Sequence, residues 1–481
     1  MGNESFGGIS VNTNLVKLKD ITEKIGSGST PRGGESAYLD QRESFAFVRS
    51  QNVYDFQFNE DGIRYITDVD AKKLKGVHLQ PDDILLNITG DGLTFARCCL
   101  VSEDILPAAV NQHVCIIRVD KKKCLPNYLL AFLCLPQTKK YIESFNAGGS
   151  RRAITKGHIE SFEVPLLPMV IQETISRNMQ GLLEKHNLNN QINQTLEQMA
   201  QTLFKSWFVD YDPVIDNALD AGSSIPEVFE ARVERRKAVR ESADYKPLPD
   251  DVRQLFPSEF EESELGWVPK GWEAGSIGSV ATAKGGYAFK SKQFLDVGNP
   301  VIKIKNITSS GTVNTSDCQC IDDHIAMTAC RFKLVDGDLL MAMTGATVGK
   351  SGIYVSDGRN GYLNQRVARL ESKVVRSSSC WFTYNLVTKS SIFEQIVSAA
   401  QGSAQPNISS KGIEQVKAVI PTHNLISKYQ NIVDTSYAKW ILNIKENRQL
   451  EKLRDTLLPK LISGELRLDS PEVEQTKALV D

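Results

Sequence analysis

The feature that most constrains the fold is an internal repeat that covers most of the chain. The segment "FVRSQNV" (47–53) matches "VIKIKNI" (301–307), and "VNQHV" (110–114) matches "LNQRV" (363–367). Across these and other matched segments the offset stays between 253 and 255 residues. A nearly constant offset over so much sequence predicts two copies of one domain.

One matched segment also resembles a phosphate-binding loop. Residues 337–354, "GDLLMAMTGATVGKSGIY", contain Gly-Lys-Ser, but only three residues separate Gly345 from Gly349, and such a loop requires four. The matching segment 82–101, "DDILLNITGDGLTFARCCLV", lacks the Gly-Lys-Ser sequence altogether. We therefore predict a hairpin in both copies, with two strands joined at a glycine turn, and no nucleotide site.

A long helical stripe follows each copy, in residues 171–208 and 425–462. Apolar side chains recur there at three- and four-residue steps, which predicts two helices that pack on each other as a coiled coil. Asparagines in the stripes are candidates to fix the helix register, and Pro459 is expected to end or kink the second helix. The predicted coiled-coil or partner interface is Ile175, Met179, Leu182, Leu196, Met199, Leu203, Tyr429, Val433, Tyr437, Trp440, Leu450, Leu453 and Leu457.

A charged connector, residues 209–270, separates the copies. Its segment "SIPEVFEARVERRKAVRESADY" interleaves arginine with glutamate. The arginines could contact phosphate, but we favour a solvated helix because the glutamates offset their charge.

The composition is that of an ordinary globular protein, with 41% hydrophobic and 24% charged residues. We expect no membrane span and no secretory signal. The nine cysteines include no C-x-x-C pair, which favours reduced thiols and a cytoplasmic location. Cys318, Cys320, His324 and Cys330 are spaced too irregularly for a typical zinc site, so we predict no metal.

Three segments carry a family resemblance: "LFKSWFVDYDPV" (203–214), "LFPSEFEESELGWVPKGWE" (255–273) and "LEKLRDTLLPKLISGEL" (450–466). They resemble the central and C-terminal segments of type I restriction–modification specificity subunits, and the resemblance extends over essentially the whole chain. It implies an α+β fold, in which two β-rich target-recognition domains are separated by two long antiparallel helices. The expected segments are recognition domains at 1–168 and 271–421, helices at 169–208 and 422–464, the connector at 209–270 and a tail at 465–481.

The resemblance also implies a function. Such a subunit is not itself a catalyst; it reads a bipartite, asymmetric site in double-stranded DNA. It positions two adenine-N6 methyltransferase subunits and the restriction and translocase subunits. S-adenosylmethionine, ATP and Mg²⁺ are then expected on those partners, with no cofactor bound by this chain. A different class stays open at this point, namely a tandem-repeat coiled-coil protein that binds protein or carbohydrate.

The two copies offer an internal comparison for choosing DNA contacts. Positions shared by both copies, such as Thr89 and Thr344, are expected to shape the fold or touch phosphate, whereas differing positions are candidates for base reading. Arginine suits guanine, and asparagine or glutamine suits adenine. The candidate DNA-binding residues are Arg32, Arg49, Gln51, Arg97, Arg151, Arg152, Lys156, Lys284, Lys290, Lys292, Lys303, Lys305, Lys350, Gln405, Asn407 and Lys411.

Overall fold

The structure, a computed structural model, describes residues 14–146, 152–374, 380–400, 406–463 and 465. The chain divides into two compact units, Met1–Asn187 with Gln449–Asp481, and Leu188–Arg448. Each unit contains one copy of the repeat and a part of each long helix. Within the described ranges, no helix combines the length and apolar character needed to span a membrane.

The first repeat contains two main sheets. Its strands and helices are β1 (Asn14–Lys17), β2 (Thr22–Ser27), β3 (Phe45–Val48), β4 (Arg64–Ile66), α1 (Asp68–Lys73), β5 (Ile84–Asn87), β6 (Thr89–Gly90), β7 (Cys98–Leu100), β8 (Ala108–Val110), β9 (Val114–Val119), α2 (Pro126–Leu133), α3 (Pro136–Ser144), β10 (Arg152–Ala153), α4 (Lys156–Glu160) and β11 (Glu163–Leu166). The larger sheet is antiparallel with order β2-β9-β5-β7. The smaller is mixed with order β4-β3-β8, and β3 runs parallel to β8.

The central strands β5 and β9 of the larger sheet are buried on both faces. In β5, Ile84 and Leu86 join one hydrophobic cluster, while Leu85 between them joins another. Successive side chains of a strand point to opposite faces, so both faces of this strand are covered. Burial on both sides explains why β5 reads as a continuous apolar run and does not alternate with polar residues.

The connector begins where the first long helix ends. This part of the chain comprises α5 (Met169–Phe208), α6 (Asp212–Ala221), α7 (Glu230–Arg240), α8 (Asp250–Arg253), β12 (Phe260–Ser263) and β13 (Gly266–Pro269). The arginines of α7 face α6: Arg235 lies 3.0 Å from Asp212, Arg236 lies 2.5 Å from Asp216, and Arg240 pairs with Asp220. The helix has no buried residue, as a solvated helix should, but its arginines pair with carboxylates that α6 supplies four residues apart and that sequence periodicity in α7 alone could not reveal.

The second repeat reproduces the main sheets of the first. Its elements are β14 (Glu273–Ser276), α9 (Ile277–Val280), β15 (Ala281–Gly285), β16 (Asn299–Ile302), β17 (Cys320–Ile321), α10 (Asp323–Thr328), β18 (Leu339–Ala342), β19 (Ser351–Ile353), β20 (Tyr362–Leu363), β21 (Val367–Ser372), α11 (Trp381–Thr388), α12 (Ser390–Ala399), α13 (Ser410–Gln415), β22 (Lys417–Ile420) and α14 (His423–Ser463). Its main sheets have the orders β15-β21-β18-β19 and β17-β16-β20. The two repeats therefore share one topology.

In each unit, the parts of α5 and α14 that belong to it run antiparallel. In the first unit, Ile175, Met179 and Leu182 line a small cavity together with Leu457 and other residues of α14. In the second unit, hydrogen bonds join the Asn189 amide to Asn447 Oδ1 (2.9 Å) and the Tyr429 hydroxyl to the Ala200 carbonyl (2.9 Å).

Most of the predicted interface is buried in the described helices, and Met199 is the clear exception. Its side chain is 60% exposed, whereas Ala200 is 3% exposed and lies on the buried face of the helix. The buried positions Asn193, Ala200, Phe204 and Trp207 follow one helical face, and Met199 lies beside it. The partly buried Leu196 and Leu203 pack against the core of the second unit. Tyr429, Val433, Tyr437, Trp440, Leu450 and Leu457 are buried, and Leu453 is partly buried.

The second long helix does not end at Pro459 but continues to Ser463. Proline removes one backbone donor, and its cost is smaller where apolar packing holds the last turn. Leu461 and Ile462, which follow the proline, are buried in the core of the first unit. Of the two expectations for Pro459, that it ends or kinks the helix, the first is therefore wrong, and the second stays a prediction. Gly464, which follows the helix, lies outside the described residues.

Candidate nucleic-acid interface

The predicted hairpins are present in both repeats. β5 pairs antiparallel with β7, and β18 pairs antiparallel with β19. The residue two positions before the second strand of each hairpin has a left-handed backbone, with φ of 61° at Ala96 and 82° at Gly349. Its N–H donates to the end of the first strand, from Ala96 to Asn87 (2.9 Å) and from Gly349 to Ala342 (3.0 Å). The glycine of the Gly-Lys-Ser sequence thus supports a turn that favours glycine.

This geometry makes Arg97 and Lys350 equivalent, since each follows the left-handed residue. The Arg97 guanidinium lies over the Tyr54 ring, 4.4 Å from its centroid. The residue after Lys350 begins a strand, and not the helix that a phosphate-binding loop requires. Both repeats therefore place a basic side chain at the same point of the hairpin.

The shared segments of the first repeat meet where its parallel strands end. Val48 at the end of β3 pairs with Val110 at the end of β8, and Asn111 N–H donates to the Val48 carbonyl (3.0 Å). The Asn87 amide at the end of β5 donates to the Ser50 carbonyl (2.9 Å). β6 and β10 complete the group by pairing with each other. We call this group the first strand-end edge, formed by residues 49–51, 89–90, 112–113 and 152–153.

The second repeat builds the same edge. Ile302 pairs with Leu363, and Asn364 N–H donates to the Ile302 carbonyl (3.1 Å). Thr344 bridges to Asn407 as Thr89 pairs with Ala153 in the first repeat. We call the result the second strand-end edge, formed by residues 303–305, 344–345, 365–366 and 406–407.

Shared residues shape the backbone of each edge. The side chains of the buried Asn52 and Asn306 accept hydrogen bonds from Arg49 N–H (3.0 Å) and Lys303 N–H (2.9 Å). A Cβ placed on Gly28 would lie 2.1 Å from the Asn111 carbonyl oxygen, so glycine is needed for this close approach. Gly286 occupies the corresponding place, where a Cβ would lie 2.3 Å from the carbonyl oxygen of Leu363.

The two strand-end edges share a backbone geometry but carry different polar side chains. In the first edge the Thr30 hydroxyl donates to Gln112, whose Nε2 lies 3.4 Å from His113 Nε2, and His113 Nδ1 lies 2.6 Å from Thr89 Oγ1. In the second edge an exposed arginine, Arg366, stands in the place of His113. Sequence reasoning missed this position, although it directly follows the shared Asn-Gln pair.

Several predicted DNA-binding side chains lie on these edges and already have partners. In the first edge, Arg49 and Gln51 donate to the Gly62 carbonyl at 2.7 and 3.4 Å, and Arg152 pairs with Glu143. In the second, Lys303 donates to Gln319, Lys305 lies 3.0 Å from Asp317, and Asn407 is exposed. Burial and the neighbouring charge of Lys305 lower the pKa of Lys303.

Other predicted contacts lie outside the edge segments. Lys156 lies 3.4 Å from Glu160 in α4, and Lys284 lies 2.6 Å from Glu371 on the larger sheet of the second repeat. Arg32, Lys290, Lys292 and Lys411 are exposed. Arg151 and Gln405 lie outside the described residues.

One group in the described chain has the composition of a metal site. Oxygen or sulfur atoms of Asp55, Cys98 and Cys134 lie within 4.8 Å of one another. The Lys139 ammonium lies 2.6 Å from Asp55 and 3.8 Å from the Cys98 sulfur. This ammonium supplies the positive charge beside the carboxylate, so the group is explained as an ion pair next to two thiols.

Comparisons with known proteins agree on one family. The family model described as "Type I restriction modification DNA specificity domain" matches residues 11–198 and 269–452. The HindI specificity subunit of Haemophilus influenzae is 26% identical over 444 residues, covering 87% of this chain and 94% of that protein. The MjaIX specificity subunit of Methanocaldococcus jannaschii is 21% identical over 470 residues, covering 96% of each.

A solved structure supports the fold. The crystal structure of the type I restriction–modification S subunit from M. genitalium has a TM-score of 0.51 and 14% identity, covering 95% of this chain and 98% of that one. The likeness confirms the expected α+β fold. The family model covers more than half of the chain and favours the DNA-specificity interpretation over a repeat protein that binds protein or carbohydrate. The chain belongs to the type I restriction–modification DNA specificity family.

Proposed function

We propose that this chain reads a bipartite, asymmetric site in double-stranded DNA, with one half of the site for each strand-end edge. The observation that carries the proposal is the pair of edges itself. They share a backbone frame, yet place different side chains on it, such as His113 and Arg366. Direct readout depends on the donors and acceptors presented to base edges, so equal frames with unequal side chains suit two different half-sites.

Contacts with the DNA backbone would come from positions that the two repeats share, and contacts with bases from positions that differ. Arg97 and Lys350 keep a positive charge at the same place in both hairpins and suit phosphate, which carries no sequence information. His113 and Arg366 differ in chemistry and suit base edges. An arginine at position 366 can present two donors to guanine.

The chain would work in a complex and not as a catalyst. Specificity subunits are distinct from the subunits that perform chemistry, and we propose two adenine-N6 methyltransferase subunits and restriction–translocase subunits as partners. S-adenosylmethionine, ATP and Mg²⁺ would then be bound by those partners. Exposed apolar residues on the helix pair of the second unit, including Met199 (60% exposed) and Ile432 (45%), offer surface for such a partner.

Selection from randomised duplexes tests the proposal. The full chain, purified with the subunits that accompany it in its native cells, is incubated with the duplex pool, and the bound DNA is sequenced. We expect two short sequences separated by a spacer of fixed length, and adenine methylation within them when S-adenosylmethionine is added. A pool that emerges without sequence preference would refute the proposal.

A further inference from the structure

The hairpin turn of the first repeat presents an exposed leucine at its tip. Leu93 is 76% exposed, although the turn around it is well fixed. Asp91 Oδ1 accepts three hydrogen bonds, from Leu93 N–H (3.1 Å), from Thr94 N–H (2.8 Å) and from the Thr94 hydroxyl (2.7 Å). Phe95, which follows, is 6% exposed and anchors the turn in the core. The leucine is thus held outward by a turn whose polar groups are paired.

The turn begins in the first strand-end edge. Gly90 at its start pairs with Arg152, and a Cβ on Gly92 would lie 3.7 Å from Arg152 Nη1. The guanidinium of Arg152 therefore lies beside the residue that precedes Leu93. Arg97 follows the turn in sequence, and its guanidinium lies over the Tyr54 ring. An apolar tip on a turn that has one arginine beside it and ends at another suits a polyanion that also presents apolar surface, and duplex DNA is such a partner.

The second repeat has no equivalent of this side chain. Its turn runs from Thr344 to Lys350 and is two residues shorter than the turn from Thr89 to Arg97. The one large apolar residue of the shorter turn, Val348, is 5% exposed and packs in the core of the second unit. The exposed leucine is therefore a property of the first edge alone.

We propose that Leu93 contacts base pairs of the first half-site and contributes to sequence discrimination there. The inference rests on the proposed DNA-reading function and adds one residue and one type of contact to it. Apolar side chains discriminate bases by packing against the C5-methyl group of thymine or by wedging between base steps. Both contacts require a side chain that protrudes from a rigid support, as Leu93 does.

Leu93→Ala tests the contact, with Val69→Ala as its matched control. Val69 is 62% exposed in the same repeat, in α1 directly after β4. Because β4 runs antiparallel to β3, Val69 follows a strand that ends beside the start of β3, away from the strand-end edge. Both variants remove methyl groups from an exposed side chain, so neither is expected to impair folding.

The readout is duplex selection with wild type and both variants, followed by titration of the selected sequence. We expect Leu93→Ala to lower affinity for that sequence by roughly tenfold, to relax one or two adjacent positions of one half-site, and to leave the salt dependence unchanged. The affected half should be the one that Arg366→Ala leaves intact. Val69→Ala should match wild type.

Three results would overturn the inference. An unchanged selected sequence and affinity for Leu93→Ala would show that the leucine contacts no base. Loss of accompanying subunits with unchanged DNA preference would assign it to a protein contact. A wild-type complex that selects no sequence would refute the proposed function itself, and this outcome is distinct because it does not depend on the variant.

Discussion

Asp83 and Arg118 form a two-point ion pair, with Arg118 Nε 2.7 Å from Oδ1 and Nη2 2.8 Å from Oδ2 of the aspartate. Asp83 is fully buried directly before β5, and Arg118 lies in β9. In the second repeat Asp338 and Arg369 meet at the matching place, at 3.4 Å. Each repeat thus fixes its central strand pair with the same ionic contact, and the first does so with better geometry.

Asp83→Asn should destabilise the first unit by about 3 kcal/mol, because it leaves the largely buried Arg118 without its carboxylate. Asp338→Asn should cost less, since Arg369 also lies 2.5 Å from Glu371 and its contact with Asp338 is longer. Urea unfolding of the full chain, followed by hydrogen exchange in β9 and β21, measures the two effects. Equal losses of stability would contradict the difference in geometry.

The connector should lose stability in acid. The hydrogen bond from Arg240, opposed by burial and supported by Arg253, lowers the pKa of Asp220. Burial tends to raise the pKa of Asp210, but Lys205 and Arg235 outweigh it, so this pKa is also lowered. Carboxyl groups with folded-state pKa values below their unfolded values stabilise at neutral pH, and this stabilisation disappears as the pH falls through the folded values.

We therefore expect the melting temperature of the second unit to fall steeply below about pH 4. An Asp210→Asn and Asp220→Asn double variant should be less stable at pH 7 and should show a flatter dependence on pH. Thermal unfolding between pH 3 and 7 compares the two proteins. Parallel curves would show that these carboxylates do not carry the acid sensitivity.

Asparagines in the helix pair of the second unit form a hydrogen-bonded ladder. Asn443 donates to Asn193 Oδ1 (2.9 Å), and Asn193 donates to the Trp440 carbonyl (3.1 Å). Asn193→Leu should cost about 1–3 kcal/mol because the buried Asn443 amide loses its acceptor. Replacing both asparagines with leucine should recover much of that loss, since no buried side-chain donor then lacks an acceptor. Denaturant unfolding of the two single variants and the double variant measures the coupling.

Periodicity and repetition in the sequence predicted the elements of this fold well. The two hairpins and the apolar stripes of the long helices were evident because each signal lies within one continuous segment. A stripe of three- and four-residue steps did not show that Ala200, and not Met199, is buried in the contact between the helices. The carboxylates that pair with the arginines of α7 were not predicted because they lie in another helix.

The candidate site was harder to predict than the fold. Each strand-end edge joins four segments that are far apart in sequence, and they meet only through pairing of distant strands, such as Val48 with Val110 and β6 with β10. Composition could select basic residues but could not separate Arg49, on the edge, from Lys156, paired with Glu160 in a helix. Leu93 escaped notice because no charge or periodicity marks an exposed apolar residue in a turn.

Arg97 and Lys350 should behave alike when each is replaced with alanine. If both contact phosphate, each change weakens binding to all duplexes about equally and flattens the salt dependence by about one unit. Titration of selected and unrelated duplexes at several salt concentrations measures this. The isolated chain should bind no ATP; ATP binding that Lys350→Ala abolishes would restore the phosphate-loop interpretation of residues 341–352.

Substitutions of His113 and Arg366 test most directly whether each strand-end edge reads one half-site. They occupy the same place after a shared Asn-Gln pair, so replacing either with alanine changes one edge only. Arg366→Ala should cost roughly 1–3 kcal/mol on the selected sequence and relax one position of the second half-site. His113→Ala should relax only the first half-site, because it removes the partner of Thr89 and the neighbour of Gln112.

Both variants are compared in one experiment, in which a randomised duplex pool is methylated and the methylated sites are sequenced. Two variants that alter the same half-site would contradict the model, because each edge is assembled within its own repeat. A uniform loss of affinity with a flatter salt dependence would instead assign Arg366 to phosphate. Arg366→Lys separates these cases, since lysine keeps the charge for phosphate but loses the paired donors that guanine requires.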